Sequence, residues 1–77
     1  MEQRIKQDTI YIGANIRRIR LEQGVKQTEL VNMLQLQDIN ITREMLVKIE
    51  RGIHHIPASM LRAIRDCLHT TYDELLK

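Results

Sequence analysis

Thr42-Arg43-Glu44-Met45-Leu46-Val47-Lys48-Ile49-Glu50-Arg51-Gly52 is the stretch on which the reading of this chain turns. A threonine hydroxyl accepts the free backbone N–H groups of a helix start, so Thr42 is expected to cap a helix there. Gly52 follows its end, where a left-handed residue is commonly needed. Leu46 and Ile49 lie three positions apart and define the inward face. The opposite side then carries Arg43, Glu44, Val47, Lys48 and Arg51.

Working outward, the same signals predict four more helices. Asp8 or Thr9 can cap a first helix that runs to about Gln23, with Ile12, Ile16 and Ile19 on one face and Gly24 as its stop. The second starts near Gln27 with Leu30, Val31 and Leu34 inward and Met33 at the margin. Its cap position holds Lys26, which has no acceptor to offer. Gln35–Ile41 has neither glycine nor proline, but Asp38 and Asn40 tolerate turn conformations. Gly52 through Pro57 read as a loop, and Pro57 fits the start of a fourth helix, where its missing N–H costs nothing. That helix presents Leu61, Ile64 and Leu68, with Met60 and Cys67 alongside. Thr71-Tyr72-Asp73-Glu74 is a capping-box pattern opening a short last helix with Leu75 and Leu76. Residues 1–8 lack a sustained period and read as a flexible arm, leaving 9–77 as one all-α domain.

Size and composition narrow the function. A chain of 77 residues makes one small domain with little room for a deep catalytic pocket, although 43% apolar residues suffice for a helical core. The net charge is only +2, yet Arg17, Arg18 and Arg20 cluster early and Arg43, Lys48 and Arg51 recur mid-chain, while Asp66, Asp73 and Glu74 make the end more acidic. Such a distribution suits a protein that meets phosphate with one face. Cys67 is the only cysteine, so neither an internal disulfide nor a zinc site of paired thiolates is expected. It reads as core, and Met33, Met45 and Met60 as packing residues. His54 and His55 are adjacent and His69 is distant, which does not assemble a metal site, so no cofactor is expected. No glycine-rich phosphate loop and no nucleophile–base arrangement point to an enzyme. Lacking a long apolar run or a signal-peptide pattern, the chain is expected in the cytoplasm.

Three stretches taken together carry a resemblance: Ile12-Gly13-x-x-Ile16-Arg17-x-x-Arg20, then Gly24-x-x-Gln27-x-x-Leu30, then Leu46-x-x-Ile49-Glu50-Arg51-Gly52. With the closing Leu68…Tyr72-Asp73-Glu74-Leu75 they resemble the Cro and phage-repressor (XRE-type) helix-turn-helix family from about Ile12 to Leu76. The resemblance implies a five-helix, lambda-repressor-like DNA-binding domain. Its third helix would enter the major groove while the second crosses the backbone. It further implies an internal Arg20–Glu50 ion pair and a phosphate contact from Gln27. Two features depart from the family pattern. Thr42 lies eight positions after Leu34, giving about five additional residues between the paired helices. A sub-branch with a Leu-Gln-Leu-x-x-Ile-Asn-Ile-Thr type of linker looks like this. The other departure is Arg65, where a small apolar residue is usual; its stem either snorkels outward or sits at a subunit contact.

On DNA, Arg43 and Glu44 stand first in line for base edges, with Lys48 one turn further. Arg43 suits a bidentate pair to guanine, and Glu44 can accept from cytosine N4. Alternatively, Glu44 and Lys48 form an ordinary i, i+4 surface pair. Val47 either meets a thymine methyl or packs against the second helix. Gln27 and Thr28 open the second helix, where backbone N–H groups favour a phosphate. Thr42, Arg51 and the His54–His55 loop are expected nearer phosphate than bases. The function expected is sequence-specific binding of double-stranded DNA by a small transcriptional regulator, a repressor acting as a homodimer on paired half-sites. Helix 5, with Tyr72, Leu75 and Leu76, is either its dimer surface or buried in its own monomer. The competing reading keeps the fold but makes the chain a protein-interaction module, such as an antitoxin or a modulator of another regulatory protein.

Overall fold

The computed structural model describes residues 2–5, 7 and 10–77. Along the chain it places β1 (Arg4–Ile5), α1 (Ile12–Glu22), α2 (Gln27–Leu36), α3 (Arg43–Glu50), β2 (Ile56–Pro57), α4 (Ala58–Cys67) and α5 (Tyr72–Leu75). Five helices among the described residues thus carry the fold. The two short strands pair antiparallel, Arg4 opposite Pro57 and Ile5 opposite Ile56. No helix is long and apolar enough to cross a membrane.

Helix ends explain much of this architecture. The terminal turns of a helix leave backbone groups unpaired, and here α1 to α4 close their C-terminal ends in the same way. Val25 N–H bonds to Arg20 O and Gly24 N–H to Leu21 O; Ile39 bonds to Leu34 O and Asp38 to Gln35 O. Ile53 bonds to Lys48 O and Gly52 to Ile49 O; Thr70 bonds to Arg65 O and His69 to Asp66 O. These are Schellman motifs, and each needs a left-handed residue. Gly24 (φ +69°) and Gly52 (φ +79°) supply it as the sequence predicts, whereas Asp38 (φ +63°) and His69 (φ +50°) adopt it despite their side chains.

The N-terminal ends divide into two kinds. Thr42 Oγ1 accepts Met45 N–H and Thr71 Oγ1 accepts Glu74 N–H, both at 3.2 Å, so α3 and α5 cap themselves. At α2 the Glu29 carboxylate accepts the Lys26 backbone N–H at 3.2 Å. By contrast α1 and α4 borrow their caps. Tyr11 stands at the α1 cap position without a side-chain bond, and the expected caps Asp8 and Thr9 lie outside the described residues. Gln7 Oε1 accepts Gly13 N–H instead, at 2.6 Å. Pro57 occupies the cap position of α4, one residue before the helix proper, and has no side-chain acceptor. Glu2 Oε1 takes Ser59 N–H at 2.6 Å and Gln3 O takes Ala58 N–H at 3.0 Å. With a further bond from Gln7 to Ile49 O, part of the segment read as an arm is joined to three helices and one strand.

The core combines Ile12, Ile16 and Ile19 of α1 with Leu30, Val31 and Leu34 of α2. It adds Leu46 and Ile49 of α3, Met60, Leu61 and Ile64 of α4, then Leu68, and Leu75 of α5. Most are expected inside from their spacing; Met60 is expected alongside the inward face, and Leu75 either buried or at a dimer surface. Ile41 and Ile56 are buried as completely but come from segments read as a connection and a loop. A lone apolar residue in an irregular segment has no periodicity to betray it. Tyr72 and Leu76 remain more than a third exposed, so the last helix buries Leu75 alone. Asn15 of α1 pins that helix, its amide donating to Leu75 O (2.9 Å) and Lys77 O (3.2 Å). Cys67 is half-buried, and burial, followed by the Asp66 charge, raises its thiol pKa. That is the reverse of what a nucleophile requires.

Candidate nucleic-acid interface

The extra residues after Leu34 divide between the last turn of α2 and a connection running from Gln37 to Thr42. The connection is tied in the middle: Gln35 Nε2 donates to Ile41 O at 2.9 Å and the Ile41 side chain fills the core. It therefore delivers Thr42 and α3 as a fixed continuation of the fold.

From this anchor α3 turns its two faces apart. Leu46 and Ile49 are fully buried, whereas Arg43, Glu44, Lys48 and Arg51 are exposed and Val47 and Met45 are intermediate. Met45 and Met33 pack at the margin of the core. Glu44 and Lys48 stand one turn apart but form no ion pair with each other. Both remain available to a partner.

At the C-terminal end of α3 the opposite holds. Arg20 Nε donates to Glu50 Oε2 at 2.8 Å and Arg20 Nη2 to Glu50 Oε1 at 2.9 Å. Arg20 Nη1 reaches Val25 O at 2.9 Å, and Gln27 Nε2 adds a bond to Glu50 Oε1 at 3.1 Å. The side chains of Arg20 and Glu50 are only 7% and 2% exposed. A charge removed from water this completely must be answered by hydrogen bonds, and both carboxylate oxygens are. One ion pair thus joins α1, the turn after it, the first residue of α2 and the last of α3.

Around this pair lies a shallow groove of about 450 Å³, lined by Arg17, Arg20, Lys26, Gln27, Thr28 and Arg43. Arg20 is engaged internally; Arg17, Lys26 and Arg43 have no ion-pair partner among the described residues. Three unanswered cations beside the backbone N–H groups that open α2 form a concave positive surface, well matched to a phosphate chain. Of the residues singled out in the sequence, Gln27, Thr28 and Arg43 meet in this groove. Thr42, Glu44 and Lys48 stay on or beside the exposed face of α3, with the Thr42 hydroxyl already used as a cap. Arg51 lies elsewhere, in a small cleft with Gln7, Tyr11, Ala14, Glu50 and Gly52.

Arg17 and Lys26 are the additions. Arg17 belonged to a visible arginine cluster, and Lys26 stood out as a poor cap, but only the meeting of α1 with the starts of α2 and α3 brings both to one groove with Arg43. Arg65 resolves differently: its guanidinium stacks 4.6 Å from the centre of the Tyr72 ring and pairs with Asp66 at 2.9 Å. Its guanidinium therefore lies against Tyr72 of α5 and remains partly exposed. Among the described residues no group of three His, Cys, Asp or Glu side chains is placed to hold a metal ion.

Two packed helices, the second offering a charged free face beside a cationic groove, define a helix-turn-helix DNA-binding domain. A family model described as "Helix-turn-helix" matches residues 16–75, and the chain belongs to this Cro/C1-type (XRE) family of DNA-binding regulators. No curated protein and no solved structure matches the chain.

Proposed function

We propose that the protein is a sequence-specific regulator of transcription, a cytoplasmic repressor that binds double-stranded DNA as a homodimer through residues 9–77. In this reading α3 lies in the major groove. Arg43 pairs with a guanine, Glu44 accepts from a cytosine N4, and Lys48 reaches a further base. Gln27, Thr28, Thr42 and Arg51 hold the phosphate backbone, joined by Arg17 and Lys26. The observation that carries the proposal is the unanswered charge around the start of α3, next to an ion pair whose two charges answer each other inside the fold. A concave patch lined by one sign of charge attracts an oppositely charged partner.

A single eight-residue helix reads only a few base pairs, so two copies on half-sites about 34–36 Å apart supply the rest of the specificity. The domain measures 28 × 27 × 21 Å, a size compatible with two copies side by side at that spacing. Tyr72 of α5 and Leu76 just after it are exposed apolar surface for the contact between them.

Selection of bound sites from a random DNA pool, followed by footprinting, tests the proposal. Paired, symmetric half-sites about one helical turn apart are expected. Weak binding that ignores sequence, or a stoichiometric protein complex without a footprint, would point to the protein-interaction module instead.

A further inference from the structure

Gln7 lies outside the groove that holds Arg17, Lys26 and Arg43, yet its carboxamide makes three hydrogen bonds to three separate parts of the fold. Its Oε1 accepts Gly13 N–H of α1 at 2.6 Å, and its Nε2 donates to Ile49 O of α3 and to His54 O of the following loop, each at 3.0 Å. The helices meet backbone to backbone at this point. A Cβ added to Gly13 would lie 1.8 Å from Ile49 O and 2.9 Å from Gln7 Oε1. Ile49 O, which also accepts Gly52 N–H, takes this second bond on its other lone pair, so Gln7 holds the helix by its own backbone. Glu50, next in sequence, is held by Arg20 and Gln27. The last turn of α3 is clamped by two separate sets of bonds.

We infer that Gln7 is a positioning residue for DNA reading: it sets the angle at which α3 projects Arg43 and Glu44. The inference rests on α3 being the reading helix. Eight residues of helix span about 12 Å, so a tilt of about 10° about the clamped end moves Arg43 by about 2 Å. A bidentate hydrogen bond to a base does not survive such a displacement, whereas phosphate attraction, which is long-ranged, largely does. Loosening the clamp therefore costs discrimination more than it costs affinity for DNA in general.

The test compares the full chain and its variants on the selected operator and on an unrelated duplex, each below its own melting temperature. Gln7→Met fills the same space without a strong donor or acceptor. Gln7→Glu keeps the bond from Gly13 but turns a carboxylate oxygen toward two carbonyls. Met60→Ala, a cavity in α4, serves as a control for lost stability alone. The ratio of specific to non-specific affinity is expected to fall about three- to tenfold in Gln7→Met and further in Gln7→Glu, while Met60→Ala leaves it unchanged. Faster amide exchange confined to Arg51, Gly52 and Ile53 of the free protein should accompany it. A wild-type ratio in Gln7→Met, or exchange raised evenly across the domain, overturns the inference. A wild-type chain that binds all duplexes alike overturns the reading of α3 itself, which is a distinct result.

Discussion

The two ends of α3 are treated in opposite ways. At Glu50 both carboxylate oxygens are bonded, the neighbouring Ile49 carbonyl is taken by Gly52 and Gln7, and the side chains are buried. At Arg43 the helix is capped by Thr42, but the Arg43 and Glu44 side chains have no ion-pair partner among the described residues, and Arg43 faces an open groove. The difference teaches where stability and where recognition reside on a helix of two turns. Polar groups answered internally hold the helix in place, and those left unanswered are what it can offer to another molecule.

The largest expected effect comes from breaking the held end. Glu50→Ala leaves Arg20 as a buried, unpaired charge and should cost about 3–5 kcal/mol, lowering Tm by at least about 12 °C in thermal unfolding. Replacing both partners, as Arg20→Met with Glu50→Leu, should recover most of that loss. A loss below about 1 kcal/mol for the single variant would show that the two ends are not so different.

Next in size is the free end. Arg43→Ala should change stability by less than about 0.5 kcal/mol while weakening the selected operator by about 1–3 kcal/mol and relaxing the preference at one base pair. Lys26→Ala sharpens the contrast, because a phosphate contact carries no sequence information. All duplexes should bind more weakly by a similar factor, and the log–log salt slope should become shallower by about 0.9.

A smaller effect separates helix ends that use glycine from those that do not. Asp38→Gly and His69→Gly remove side chains from left-handed positions and should each stabilise by up to about 1 kcal/mol in denaturant titrations. Gly52→Ala should do the reverse. The least effect is expected at Glu2, fully exposed at the start of α4. Hydrogen bonds from Ser59, side chain first and backbone second, hold its carboxyl below the ordinary glutamate pKa. A group whose pKa is depressed on folding contributes stability above its unfolded pKa, and this contribution is lost as pH falls through the folded one. The Tm difference between wild type and Glu2→Gln should therefore be present at neutral pH and vanish in acid.

Much of this was legible in the residues. Helical spacing placed most core residues of the first four helices, two glycines marked two of the four left-handed ends, and Thr42 and Thr71 announced their own caps. Family motifs brought in Arg20 and Glu50, which no periodicity could have paired across 30 positions. Illegible were contacts between segments whose local pattern says nothing. Gln7 looks like any polar residue near a terminus, Pro57 like a helix opener, and Ile41 and Ile56 like single apolar residues in loops.

By itself, then, the sequence determined which segments are helical, which way each faces and which family the chain belongs to, because spacing and end signals act over a few residues. Tertiary structure alone decided how the Arg43–Arg51 helix is presented. Ile41 anchors the long connection before it, and Gln7, Arg20 and Gln27 clamp its far end. The meeting of α1 with the starts of α2 and α3 collects Arg17, Lys26 and Arg43 into one groove. Those arrangements depend on groups distant along the chain meeting in space, and no local propensity encodes them.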